Sequence, residues 1–352
     1  MTIDFSNFSI TDISPETDFE IKVLAFLEEW LSDSKTVKVQ TSGSTGTPKI
    51  FEVEKERMRH SANMTCDILG LKEGDSALLC LPVEYISGKM MVVRAIERKL
   101  KLVVKTPSSK PITDLIESID FCAMSPLQVE NSLDKIHLIK NLIIGGAAVS
   151  ESLKNKIAQK LNNSKTQSHI FETYGMSETL SHIALKEIYP SAKDYFRALN
   201  GVEISLDERN CLQISAPQLN PELIKTNDLV EINEVKESDD DKRHFKFLGR
   251  IDNVINSAGL KIYPEELEKL VKKEISNEAV FLGVKDELLG QKLILVIEGL
   301  KSDNVKKQLG KIIYPTKNHQ PKEIIFIELF PRISNGKIDR KTLEKLVKKD
   351  KG

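Results

Sequence analysis

Apolar residues return every third or fourth position through 16–32, ETDFEIKVLAFLEEWLS, a spacing that predicts an amphipathic helix against a core. VKVQ (37–40) reads as a strand and runs into TSGSTGTPK (41–49), where no apolar pattern survives. EKERMRHSANMTCDILG regains the helical spacing and is closed by Gly70. Short apolar runs then recur at regular intervals: SALLCLP, KLVVK, FCAMSP, NLIIGG and HIFETYG. Between them lie the helix-like GKMMVVRAIERK and SESLKNKIAQKLN. Strands alternating with helices predict an α/β layered domain with a largely parallel sheet.

After about residue 200 the texture changes. GVEISLDERNCLQISAP and LVEINEVKESDDDKRHFKFLG read as β-hairpins, the second with a solvated turn at NEVKESDDDKRH. GRIDNVINSAG leads into YPEELEKLVKKE, a helix with proline near its start. AVFLGV, KLILVIEG, another helix and EIIFIELF complete a small α+β lobe. The expected division is 1–248 for the large domain and 249–352 for the small one, with the boundary at Gly249–Asp252. No internal repeat stands out.

Composition narrows the partners. The 352 residues carry 51 basic and 52 acidic side chains, so net charge gives no reason to expect nucleic acid or an anionic membrane. No apolar run approaches the roughly 20 residues that cross a bilayer, and the acidic start MTIDFSNFSITDISPETD lacks the features of a signal peptide. Four scattered cysteines show no metal-ligand spacing and read as reduced thiols. The expectation is a cytoplasmic protein. The sequence does not fix its assembly, and a homodimer is compatible with it.

TSGSTGTPK is the first candidate for chemistry. Its hydroxyls and glycines suit a cradle for phosphate oxygens, but a Walker A loop needs G-x-x-x-x-G-K-[ST]. Gly43 to Gly46 is too short for that, and Pro48 sits where the helix should begin. On this stretch alone, a phosphate cradle and a flexible surface loop fit equally well.

YGMSET (174–179), TND (226–228), GRIDNVINSAGLKIYPEELE (249–268) and PRISNGKIDR (331–340) follow in that order. With TSGSTGTPK they resemble the signature blocks of the adenylate-forming superfamily of acyl-CoA synthetases, luciferases and adenylation domains. The resemblance implies that Thr41, Ser42, Gly43, Ser44, Thr45, Gly46, Thr47 and Lys49 hold the β- and γ-phosphates of ATP. It implies an adenine site at Gly145, Gly146, Ala147, Tyr174 and Gly175, although a plain strand-to-helix turn explains the first three residues as well. Ser177 would meet the α-phosphate, and Glu178 would ligate Mg²⁺, a hard cation that takes carboxylate oxygen. Asp228 and Arg250 would bind the ribose. The family usually has glycine where this chain has Asn227, and asparagine tolerates the left-handed backbone that glycine would supply.

The same resemblance makes Asp252 the hinge between the lobes and Lys337 the catalytic lysine at the α-phosphate. Gly259 and Lys261 would serve the second step, in which a thiol displaces AMP. CoA is the expected acceptor.

LPVEYISGKMMVVRAI (81–96) resembles a block of the o-succinylbenzoate–CoA ligases of menaquinone biosynthesis, in which a basic residue follows S-G after six positions. Ser87, Gly88 and Arg94 match, while Tyr85 replaces a histidine. A dicarboxylate keeps one carboxylate unreacted, and a buried carboxylate needs a partner. Arg94 offers a planar donor fork, and Lys89 is a candidate helper. The alternative is a solvent-facing arginine on that helix. The chain is also short for the superfamily, with much of the region before TSGSTGTPK reduced. Rival readings are loading of an aryl or small acyl group onto a carrier protein, a non-catalytic nucleotide-binding relative, and a P-loop NTPase.

Overall fold

The computed structural model describes residues 1–40, 50–164, 167–233, 244–332 and 338–349. Its first helix starts where its capping directs. Strand β1 (Thr2–Asp4) precedes helix α1 (Asp18–Leu31). The Thr17 hydroxyl accepts the Glu20 N–H at 3.2 Å, and the Glu20 carboxylate accepts the Thr17 N–H at 3.1 Å. α1 buries Phe19, Val23, Phe26, Leu27 and Trp30. Strands β2 (Thr36–Gln40) and β3 (Ile50–Glu54) form an antiparallel pair in which Gln40 faces Ile50. Apolar patterning marks β2 but not its partner IFEVE, which directly precedes helix α2 (Lys55–Ile68).

A run of alternating elements follows. It comprises β4 (Ser76–Leu79), α3 (Ile86–Arg98), β5 (Lys101–Val104), β6 (Ile119–Met124), α4 (Pro126–Glu130), β7 (Ile139–Ile144), α5 (Glu151–Asn162) and β8 (His169–Gly175). These strands lie parallel in the order β5-β4-β6-β7-β8. Beyond β8 the sheet turns antiparallel. β9 (His182–Tyr189), β10 (Phe196–Ala198), β11 (Glu203–Leu206), β12 (Cys211–Ala216), β13 (Asn220–Asn233) and β14 (His244–Arg250) pair antiparallel. The change comes earlier than expected at β9 and β10 and as expected for the hairpins β11–β12 and β13–β14. Among the described residues this region has no α-helix for a crossover, and its strands join by hairpin pairing. Among the described residues the sheet has twelve strands in the order β1-β5-β4-β6-β7-β8-β9-β10-β14-β13-β12-β11. β14 therefore runs inside the sheet, between β10 and β13.

Alternation along the strands feeds two cores. Leu79 and Phe121 join Phe26, Met58, Met90 and Val92 on the side of α1, α2 and α3. Leu78 and Cys122 point the other way, to Leu142, Ile144, Leu153 and Ile157 under α5. All four cysteines are free and buried. No helix among the described residues is long and apolar enough to cross a membrane.

The small lobe is built from β15 (Ile255–Ser257), β16 (Leu260–Ile262), α6 (Pro264–Glu274), β17 (Ala279–Asp286), β18 (Gly290–Glu298), α7 (Asp303–Leu309), β19 (Glu323–Ile327) and α8 (Arg340–Lys349). Its sheet runs β16-β15-β18-β17, with β19 parallel to β18. Ile262, Leu267, Val271, Phe281 and Leu295 fill one face; Val280, Ile294, Val296, Leu343 and Val347 fill the other. α8 is fastened by a partly buried ion pair: Arg340 Nη2 donates to Glu268 Oε2 at 2.5 Å, and Glu268 Oε1 also accepts the Phe281 N–H at 2.8 Å. The large sheet ends at Arg250 and the small one starts at Ile255, with a 3₁₀ turn at Ile251–Asn253 between them.

Candidate active site

Adjacent parallel strands β7 and β8 deliver two turns side by side at their carboxyl ends, the usual place for a ligand in an open α/β sheet. Gly145, Gly146 and Ala147 leave β7, with Gly146 at φ +85 and Ala147 exposed. The buried Glu172 pins this turn: its Oε1 accepts the Val149 N–H at 3.0 Å, and Lys186 Nζ lies 2.8 Å from its Oε2. Sequence reading passed over Glu172, although an acid inside the apolar alternation of HIFETYG was the available signal. Gly175 ends β8 where only glycine fits, since a Cβ there would stand 2.4 Å from the Ser181 carbonyl oxygen. Ser177 and Glu178 follow on an exposed 3₁₀ turn.

Tyr174 sits among Phe196, Phe245 and Phe247, with the Phe245 ring edge-on at 4.9 Å. Its hydroxyl donates to Asp228 Oδ2 at 2.5 Å. Burial, then the Asp228 charge, push the phenol well above its ordinary pKa, so it remains a donor. Asp228 and Arg250 face each other across β13 and β14, with Arg250 Nε 3.9 Å from Asp228 Oδ1. The structure thus brings together Tyr174, Asp228 and Arg250 from separate segments.

Asn227 departs from its expected conformation. It does not take positive φ, because β13 runs through it as extended strand. Its amide is used instead: Oδ1 accepts from Arg209 Nη1 at 3.0 Å, and Nδ2 donates to Asp252 Oδ2 at 3.2 Å. The Thr226 hydroxyl accepts the Asp228 N–H at 3.0 Å and fixes the next residue.

Tyr85 caps α3 and bridges to Gln40 at the base of the β2–β3 pair. Ser87 is exposed on the first turn of α3, and Arg94, seven residues on, shares its helix face. Gly88 is obligatory: a Cβ would stand 2.2 Å from the Pro82 carbonyl oxygen. Arg94 is 2% exposed, which removes the solvent-facing alternative. Its Nη2 donates to Ser181 Oγ at 2.9 Å, Nη1 reaches Met91 Sδ at 3.8 Å, and Nε has no partner. None of the ion pairs among the described residues includes it. Burial lowers its pKa to about 10, which still leaves it charged at neutral pH.

The neighbours of Arg94 are neutral. Thr65 Oγ1 donates to the Ser61 carbonyl at 3.0 Å, so at its 3.2 Å contact with His182 it accepts from Nε2–H. His182 Nδ1 then accepts from the Ser181 hydroxyl at 3.3 Å, leaving that oxygen's lone pairs to Arg94. Burial, then the Arg94 charge, hold His182 well below its ordinary pKa. Thr65, Ser181 and His182 were not legible beforehand, since nothing in their local sequence marks them. Lys89 does not help Arg94. It is held against α1, with Nζ 4.1 Å from the Phe26 ring centre and 3.7 Å from Glu29 Oε2.

Gly259, at φ +77, lies in the β15–β16 turn, and exposed Lys261 follows on β16 opposite Asn256. Thr41, Ser42, Gly43, Ser44, Thr45, Gly46, Thr47 and Lys49, and likewise Lys337, lie outside the described residues. Their described flanks are paired, Gln40 with Ile50 and Arg332 with Ile338. Among the described residues no three His, Cys, Asp or Glu side chains cluster as a metal site. Glu178 alone fits a Mg²⁺ that takes its remaining oxygens from phosphates and water. An open depression of about 450 Å³ in the small lobe, lined by Leu300, Lys306 and Phe326 among others, contains none of these residues.

The family model for AMP-binding enzymes matches residues 26–211, more than half of the chain. The 2-succinylbenzoate–CoA ligase of Listeria monocytogenes serotype 4b (strain F2365) is 26% identical over 354 residues, covering 94% of this chain and 73% of that protein. An acyl-CoA synthetase (AMP-forming)/AMP-acid ligase II-like protein from Dyadobacter fermentans DSM 18053 superposes with a TM-score of 0.64 at 33% identity. That match covers 96% of this chain and 97% of its own, so the two share the same short length. The o-succinylbenzoate coenzyme A synthetase from Bacillus subtilis, in complex with ATP and magnesium ion, gives a TM-score of 0.70 at 20% identity, covering 87% of this chain and 69% of that one.

Proposed function

Since the chain belongs to the AMP-binding enzyme family, we propose that it is an AMP-forming carboxylate–CoA ligase converting o-succinylbenzoate to o-succinylbenzoyl-CoA in the cytoplasm. The observation that carries the substrate assignment is Arg94, a buried guanidinium whose described neighbours are all neutral. A buried cation without an acid is costly, and the second carboxylate of a dicarboxylic substrate would supply the missing charge. The 2-succinylbenzoate ligases among the relatives agree with this reading.

In the first half-reaction the substrate carboxylate attacks the α-phosphorus of ATP. The P–O bond to pyrophosphate breaks, and an acyl-adenylate forms. Residues 41–49 would hold the β- and γ-phosphates, Tyr174 and the Gly145–Ala147 turn the adenine, and Asp228 with Arg250 the ribose. Mg²⁺ on Glu178 would neutralise phosphate charge, with Ser177 and Lys337 at the α-phosphate and carboxylate oxygens. In the second half-reaction the CoA thiolate attacks the acyl carbonyl and AMP leaves. Movement of the small lobe about Asp252 would exchange Lys337 for the Gly259–Lys261 turn.

The test is AMP release with Mg-ATP and CoA across o-succinylbenzoate, benzoate, acetate and a medium-chain fatty acid. AMP and a thioester with o-succinylbenzoate alone is the expected result. Equal turnover of benzoate would remove the role given to Arg94.

A further inference from the structure

The lobes are joined by one stretch of chain, and Asp252 lies in the middle of it, between the end of β14 and the start of β15. Its Oδ2 receives two donors from the large sheet: Arg250 Nη2 at 3.3 Å and Asn227 Nδ2 at 3.2 Å. These donors are not equivalent. Arg250 is shared, because its Nε also lies 3.9 Å from Asp228, and a guanidinium drawn toward a nucleotide at Asp228 cannot keep its present geometry to Asp252. Asn227 has no such second duty. Its Oδ1 is occupied by Arg209 Nη1, which orients the amide with Nδ2 toward the linker.

Arg209 is itself fixed. Its Nε and Nη2 donate to Asp207 Oδ2 at 2.8 and 2.7 Å, and Nη2 also donates to the Thr226 carbonyl at 2.9 Å. Asp207 Oδ1 in turn accepts the N–H groups of Arg209 and Cys211. A charged brace from the β11–β12 turn thus ends on one amide, and that amide ends on the linker.

We propose that Asn227, oriented by Arg209, is a positioning residue that retains the interlobe linker at Asp252 when nucleotide engages Arg250, and so sets how readily the small lobe changes position. The inference rests on the nucleotide site placed above at Asp228 and Arg250. A half-exposed contact of this kind is weak, which suits a joint that must open in every turnover: a strong one would trap a single arrangement.

Tryptic cleavage after Arg250, followed by mass spectrometry on the full-length protein with and without AMP, reads linker opening directly. Asn227→Ala is expected to raise the cleavage rate about fivefold with AMP present, equal to about 1 kcal/mol, and about twofold without it. The isosteric Asn227→Asp sets a carboxylate against Asp252 and should exceed Asn227→Ala in both arms. Arg209→Ala should loosen the linker similarly, and adding it to Asn227→Ala should change little, because both act through one bond.

Wild-type cleavage rates in both Asn227 variants would overturn the proposal, as would full additivity with Arg209→Ala. Calorimetry of AMP binding to the wild type separates the two readings: no binding would remove the nucleotide site, and the AMP-free arm would still decide the role of Asn227.

Discussion

Among the described residues, the buried Arg94 and the partly buried Arg340 have surroundings that differ in kind. Arg340, in the small lobe, meets the carboxylate of Glu268 at 2.5 Å and the Phe281 carbonyl at 3.5 Å. Arg94, in the large domain, meets a hydroxyl and a thioether, with one nitrogen unpaired. The first arrangement is closed and its charges are neutralised within the protein. The second is open, with charge and donors that the fold itself does not use. Buried charge with an internal partner marks structure, and buried charge without one marks a place for something that arrives later.

The largest effect expected from breaking this contrast is on stability. Arg340→Met at pH 8 should cost about 3–5 kcal/mol in denaturant unfolding, because Glu268 would remain buried without its partner. Arg94→Met should leave stability within about 1 kcal/mol of wild type, since no acid is stranded. A comparable loss from both would erase the distinction.

Next in size is the catalytic counterpart. Arg94→Met should raise KM for o-succinylbenzoate about 100-fold, as losing a buried charge partner costs roughly 2–5 kcal/mol, while KM for ATP stays near wild type. A parallel rise in both constants would place Arg94 in general packing instead.

The smallest effect sharpens the closed site. Burial pushes the Glu268 carboxyl up to about 7, against the pull of Arg340. An acid with a raised folded pKa takes up a proton on folding between its unfolded value and that pKa. Stability from this group is therefore greatest at the acid end and declines as pH rises from about 4.5 to about 7. Glu268→Gln should flatten that part of the stability profile of the small lobe, and an unchanged slope would assign it to other groups.

The sequence made one half of this contrast visible and hid the other. Arg94 stood out because a cation flanked by Met90, Met91, Val92 and Val93 is badly placed for solvent. Glu268 and Arg340 looked like ordinary helix charges, because their pairing joins residues 72 positions apart. The same limit explains the sheet. Periodicity located the strands from β4 to β8 and the hairpins β11–β12 and β13–β14, but the pairings of β9 and β10 and the place of β14 beside β10 depend on partners that periodicity does not name. Asn227 was read for the backbone it tolerates, and the structure shows its amide engaged instead. Glu172 and His182 escaped because a single polar residue in an apolar strand gains meaning only from what the fold sets beside it.

The interior position of β14 has a mechanical consequence. The small lobe hangs from a strand with hydrogen-bonded neighbours on both sides, β10 and β13. A load on the lobe acts along this strand, whose ladder to β13 runs from Arg250 back to His244, while β10 pairs only Phe245 and His244 at the far end. An edge strand would unzip one bond at a time. The mount is a strand held along its length by β13, and α6 of the small lobe also packs against β14 and α5.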